Sequence, residues 1–111
     1  MKKNIINAFR FLVDDYECSL SYEKSRGELY IYQNNIIKLK IYVWEQFDEL
    51  DINLIYNIEN YHIDPFIGNT KEMAIINKKR RGIKGLLYNY DKDFWIITAK
   101  IVKNKIKEIF G

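Results

Sequence analysis

This 111-residue chain has one cysteine, one proline, one histidine and only three alanines. The lone Cys18 has no internal partner, which excludes a disulfide framework and fits a reducing compartment. One His and one Cys cannot supply a zinc site of the usual nitrogen and sulfur ligands. Only carboxylates remain, and "FDELD" lacks the glycine and the spacing of a calcium loop. The five glycines form no phosphate-cradling loop, since Gly82 and Gly85 lack the preceding strand and the Lys-Ser/Thr pair that such a loop uses. No apolar run approaches the roughly 18 residues of a membrane span. The opening "MKKNIINAFRFLVDDYE" is interrupted by Asn7, Arg10, Asp14 and Asp15, and no small-residue cleavage site follows it. We therefore expect neither a span nor a signal peptide, no metal and no cofactor, and a cytoplasmic protein.

The composition is that of a globular protein, 48% hydrophobic and 30% charged, and the length suits one domain over residues 1–111. The formal net charge of +3 hides an asymmetry. Residues 1–70 hold seven Lys or Arg against eleven Asp or Glu, net −4, and residues 71–111 hold eleven against four, net +7. Such a split gives the molecule an acidic and a basic region, which constrains its partners more than the sum does.

Apolar spacing predicts the elements. Ile5, Ile6, Phe9, Leu12, Val13 and Tyr16 fall at helical intervals, so a first helix is expected from about Lys3 to Glu17. "CSLSYEK" and "ELYIYQ" flank "SRG", a hairpin in which Gly27 offers a positive φ. After "QNN", Ile37, Leu39, Ile41 and Val43 alternate with Lys38, Lys40, Tyr42 and Trp44. "ELDINLIYNI" alternates again, with Leu50, Ile52, Leu54 and Tyr56 on one face. "NIENYHIDPFIGN" reads as a loop around Pro65. "TKEMAIINKKRR" is a helix capped by Asn69 or Thr70, and "IKGLLYNY" has helical spacing. A last helix, capped by Asp91 or Asp93, carries the stripe Trp95, Ala99, Val102, Ile106 and Ile109. The expected architecture is α+β: an N-terminal helix, a four-stranded antiparallel meander, and C-terminal helices packed on the sheet.

Three groups of residues bear on function. His62 lies two residues before Asp64, which would suit a general base, but no serine or cysteine nucleophile is tied to the pair by spacing. We assign no catalytic residue and expect no enzyme. The run Lys78, Lys79, Arg80 and Arg81, with Tyr88, Tyr90 and Trp95 nearby, could neutralise phosphates and stack bases. Equally, it is a solvated helix end beside core aromatics. The third group lies on the strands. If Ile37, Leu39, Ile41 and Val43 face the core, Tyr42 and Trp44 point away from it, and we expect Tyr30 and Tyr32 to sit across from them on that outer face. Glu45, Asp48, Glu49 and Asp51 add an acidic rim. Aromatics beside charges are the composition of an interface centre. The same residues would also serve as a second core under the C-terminal helices, or as a well-paired surface.

Taken in order, "FRFLVDDYECSLSYEKSRGELYIYQNNIIKLKIYVWEQFDELDINLIYN" is a helix ending in Leu-Val-Asp-Asp-Tyr, a strand, a strand closing on Tyr-Gln-Asn-Asn, and two alternating strands. Over this N-terminal half the chain resembles small bacterial immunity proteins of contact-dependent growth inhibition and other polymorphic toxin systems. The resemblance implies a non-catalytic protein that binds one cognate toxin domain, a nuclease being one such class, and blocks its active site or substrate path. The immunity proteins of basic nucleases are often acidic, and the +7 segment here departs from that pattern.

Overall fold

The computed structural model describes residues 2–44, 49–67, 70–81 and 90–110, and of residues 77 and 79–81 the backbone alone. The chain divides into two compact units, Phe9–Ile63 and Met1–Ala8 with Asp64–Gly111. The division sharpens the charge asymmetry. Phe9–Ile63 holds five Lys or Arg against ten Asp or Glu, net −5, and the other unit thirteen against five, net +8.

The expected single N-terminal helix is two, α1 (Lys2–Ala8) and α2 (Arg10–Asp14). The chain leaves helical geometry at Phe9 (φ −98°, ψ 13°), where the Leu12 N–H bonds to the Phe9 carbonyl at 3.0 Å, a tighter closure than the α-helical one. Phe9 and Leu12 are both buried, and the Phe9 ring lies 6.0 Å from that of Tyr32. After α2, Glu17 takes a left-handed conformation (φ 54°) and turns the chain so that the Cys18 N–H reaches the Leu12 carbonyl at 2.9 Å.

Five strands follow, one more than the alternation predicts: β1 (Ser19–Lys24), β2 (Glu28–Gln33), β3 (Ile37–Trp44), β4 (Glu49–Tyr56) and β5 (Glu59–Ile63). They form one antiparallel meander in chain order. The segment expected as a loop supplies β5, reached through the two-residue turn Asn57-Ile58 between the paired Tyr56 and Glu59. Asn57 provides the positive φ (57°) of such a turn without a glycine.

The β2–β3 turn is held by Asn34. Its Oδ1 accepts the N–H groups of Ile36 and Ile37 at 2.7 Å each, and its Nδ2 donates to the Tyr16 carbonyl at 2.8 Å. This one side chain ties the β2–β3 turn to the chain beyond α2, at Tyr16. Gly27, in the β1–β2 turn, has no positive φ. It is required for space, because a Cβ there would lie 2.7 Å from the Tyr42 hydroxyl and 2.8 Å from the Val43 carbonyl.

The other unit is helical. Helix α3 (Lys71–Arg81) begins at Thr70, whose Oγ1 accepts the Met73 N–H at 3.2 Å. Helix α4 (Lys92–Phe110) begins at Asp91, whose Oδ1 accepts the Phe94 N–H at 2.9 Å. Both caps are among the expected ones. Of the expected stripe, Trp95, Ala99, Val102 and Ile106 are buried and Ile109 half-buried. α1 and α3 pack against α4, and Phe94 gathers Phe66, Tyr90 and Trp95 at ring distances of 5.6, 4.9 and 5.0 Å. Of the helical spacing expected over Ile83–Tyr90, all but Tyr90 lies outside the described residues, and Tyr90 itself is not helical.

Candidate partner-binding face

Strand registers decide which side chains share a face of the sheet. Tyr30 pairs with Ile41 and Tyr32 with Leu39, and Ile41 and Leu39 pair with Ile52 and Leu54. Paired residues point the same way, so Tyr30 and Tyr32 belong to the core face. They are 0% and 1% exposed. This corrects the expectation that they accompany Tyr42 and Trp44. The two tyrosines are core residues and cannot act as surface anchors.

Tyr30 is also chemically tied in. Its hydroxyl and that of Tyr22, its partner on β1, both donate to Glu28 Oε1 at 2.9 and 2.8 Å, and the two rings are 5.0 Å apart. Burial, and then the bond to Glu28, push the Tyr30 phenol well above its ordinary pKa. Burial alone raises Tyr32 to about 12, and its hydroxyl has no hydrogen-bond partner among the described residues.

The opposite face has a different character. Tyr42 pairs with Leu29 on β2 and Asp51 on β4, while Trp44 pairs with Glu49. Lys40 lies between Ile31 and Asn53, and Lys38 between Gln33 and Ile55. Leu29, Ile31, Lys38, Lys40, Tyr42 and Trp44 are half-buried, and Glu49 and Asp51 exposed. No described residue whose side chain points to this side is buried. The described side chains of this face are thus all half-buried or exposed.

Charge on this face is ordered along the strands. Lys38 and Lys40 mark one end, and Glu49 and Asp51, beside Tyr42 and Trp44, mark the other. From Lys40 to Trp44 is about 13 Å. The Tyr42 ring is braced by the Gly27 backbone beneath it, so it is held without being hidden. Such a residue presents fixed aromatic area at little cost in conformational entropy.

His62 belongs to the same face and pairs with Asn53. Its Nδ1 lies 3.3 Å from Asp51 Oδ1 and 3.4 Å from Asn53 Oδ1, and Asn53 Nδ2 donates to Asp51 Oδ1 at 3.0 Å. The carboxylate beside His62 is therefore Asp51 and not the expected Asp64, whose Oδ1 caps the Phe66 N–H at 2.9 Å. Alternation could not reveal this link, because it crosses from β4 to a strand read as loop. His62 and Asp51 are 59% and 57% exposed, so the contact is a screened surface pair.

Of the remaining expected site residues, Glu45 and Asp48 lie outside the described residues. So do the side chains of Lys79, Arg80 and Arg81, and Tyr88. Lys78 is exposed on α3. Tyr90 and Trp95, expected near the basic run, are buried, the second of the two readings given above. Cys18 is buried, and burial raises its thiol pKa. Among the described residues no three His, Cys, Asp or Glu side chains are grouped to hold a metal ion, and no helix is long and apolar enough to cross a membrane. Compared with protein-family models, curated proteins and solved structures, the chain shows no match.

Proposed function

We propose that this chain is a protein-binding module, an immunity protein that acts in the cytoplasm and neutralises a cognate bacterial toxin domain by occluding its active site or substrate path. The observation that carries the reading is the pair Tyr42 and Trp44, half-buried on a sheet face with no buried side chain among its described residues and flanked by the acids Glu49 and Asp51. Tyr42 and Trp44 are the anchors. Glu49 and Asp51, with Glu45 and Asp48 of the intervening connection, steer a basic partner and pair with it at the rim. The sheet-bearing unit's net charge of −5 supports such a partner, and the +7 segment that departs from the family pattern contributes none of these residues.

The test is co-purification and titration calorimetry with the variable C-terminal domain of a secreted protein encoded beside this gene. Tight one-to-one binding that protects cells from that domain is the expected result. A domain that kills cells equally with and without this chain would overturn the reading.

A second reading is favoured by the net charge of +8 on the helical unit: nucleic-acid binding through Lys78, Lys79, Arg80, Arg81 and the lysines of α4. It requires affinity that falls steeply with salt. Absence of binding to mixed RNA and DNA at low ionic strength would remove it.

A further inference from the structure

At the end of the β1–β2 hairpin opposite Gly27, the α2–β1 connection and the β2–β3 turn enclose an open recess of about 420 Å³. Tyr16 and Glu17 line it from the first segment, Asn35 and Ile36 from the second, and Ser19 and Gln33 from the strands between. Ser19 pairs with Gln33, and Gln33 with the outer-face residue Lys38, so the recess opens at the margin of the face that carries Tyr42 and Trp44. Its walls are fixed by the three hydrogen bonds of Asn34, and the Tyr16 ring is held edge-on by Phe11 at 6.2 Å and 77°.

The side chains of Glu17, Gln33 and Asn35 make no hydrogen bond or ion pair among the described residues. On the rim Ile36 adds exposed apolar area, at 58%, and Lys38 lies beside the lining as the pair partner of Gln33. Glu17, the one carboxylate among the described lining residues, disfavours an anion. A purely apolar group would leave a carboxylate and two amides facing it unpaired. A planar cation satisfies every wall. Guanidinium offers five donors to carboxylate and amide oxygens, sheds water more readily than an ammonium, and stacks on an aromatic ring.

We infer that this recess receives an arginine side chain projecting from a loop of the protein partner, with Glu17 as its counter-ion, Tyr16 as its stacking surface, and Gln33 and Asn35 as acceptors. The inference rests on the protein-binding reading above and adds to it the chemistry of one contact. The recess lies at the margin of the face that carries the aromatic anchors, so a partner covering both sets this one arginine at the β2–β3 turn, beyond Lys38 and Lys40.

The test uses N-acetyl-argininamide as a probe, titrated into the isotope-labelled full chain and followed by amide chemical shifts, with the uncharged isostere N-acetyl-citrullinamide as control. The expected result is saturable, roughly millimolar binding with shifts confined to Tyr16, Glu17, Ser19 and the Asn34–Ile36 turn. Affinity should fall at least about fivefold in Glu17→Gln, with the amide spectrum otherwise preserved. An equal response to the citrulline probe, unsaturable shifts spread over all acidic residues, or indifference to Glu17→Gln would each overturn it. Trp44→Ala should leave this titration unchanged. Failure of the recess is thus distinguishable from failure of the outer face, which is read from toxin-domain affinity.

Discussion

Tyr30 and Tyr32 lie on one face of the sheet, Tyr42 and Trp44 on the other, and the two pairs live in different physical worlds. The first pair is 0% and 1% exposed among Leu39, Ile41, Ile52 and Leu54, where a ring contributes by excluding water and filling volume. The second pair is half-buried beside Asp51 and Glu49, where a ring gains less by folding and retains area to offer a partner. Aromatic content alone is therefore a poor guide to an interface. What separates an anchor from a core residue here is strand register.

The contrast should appear first in stability. Tyr30→Ala and Tyr32→Ala each remove a fully buried ring and should cost about 3–5 kcal/mol in chemical denaturation. Trp44→Ala should cost no more than about 1 kcal/mol. Equal losses on the two faces would break the comparison. Gly27→Ala comes next. The new methyl must displace the Tyr42 ring and the Val43 carbonyl, and a loss of about 1–3 kcal/mol is expected for such overpacking. Because the carbonyl cannot move as the ring can, Tyr42→Ala should rescue Gly27→Ala only in part.

Hydroxyl deletions divide the two buried tyrosines from each other. Tyr30→Phe gives up a bond to Glu28 and should cost about 1–2 kcal/mol, whereas Tyr32→Phe removes a hydroxyl without a partner among the described residues and should be neutral or mildly stabilising. Alkaline titration sharpens the same point. Tyr32 ionises near 12 in the folded chain against an ordinary 10.0, so the unfolded chain loses that proton first. Its contribution to stability is whole below about pH 10 and is lost as pH rises toward 12. Thermal melts of Tyr32→Phe should accordingly decline less over that window than those of the parent. A parallel decline in both proteins would contradict the assignment.

Much of this was legible in the sequence. The alternation of Ile37–Trp44 and Glu49–Tyr56, the stripe of α4 and the caps Thr70 and Asp91 all follow from periodicity and cap chemistry. The facing of β2 did not, because "ELYIYQ" is apolar on both sides, with Leu29 and Ile31 alternating with Tyr30 and Tyr32. Only the parity of the Asn35-Ile36 turn settles it, and one residue more would have exchanged the faces. β5 was hidden for a related reason. Its turn has an asparagine where a glycine would have signalled a hairpin, and Ile58 at the tip is fully exposed. The break at Phe9 left no mark, since Phe9 and Leu12 fit a continuous helix equally well. The recess was beyond pattern altogether: Tyr16 and Asn35 meet only because Asn34 bonds back to the Tyr16 carbonyl.

The proposal that the outer face of the sheet is the working face is tested most directly by the affinity of Trp44→Ala and Tyr42→Ala for the proposed toxin-domain partner, measured by calorimetry alongside each variant's unfolding curve. The account predicts folded proteins whose binding weakens by about 2 kcal/mol or more, some 30-fold. Folded variants that bind as tightly as the parent would contradict it.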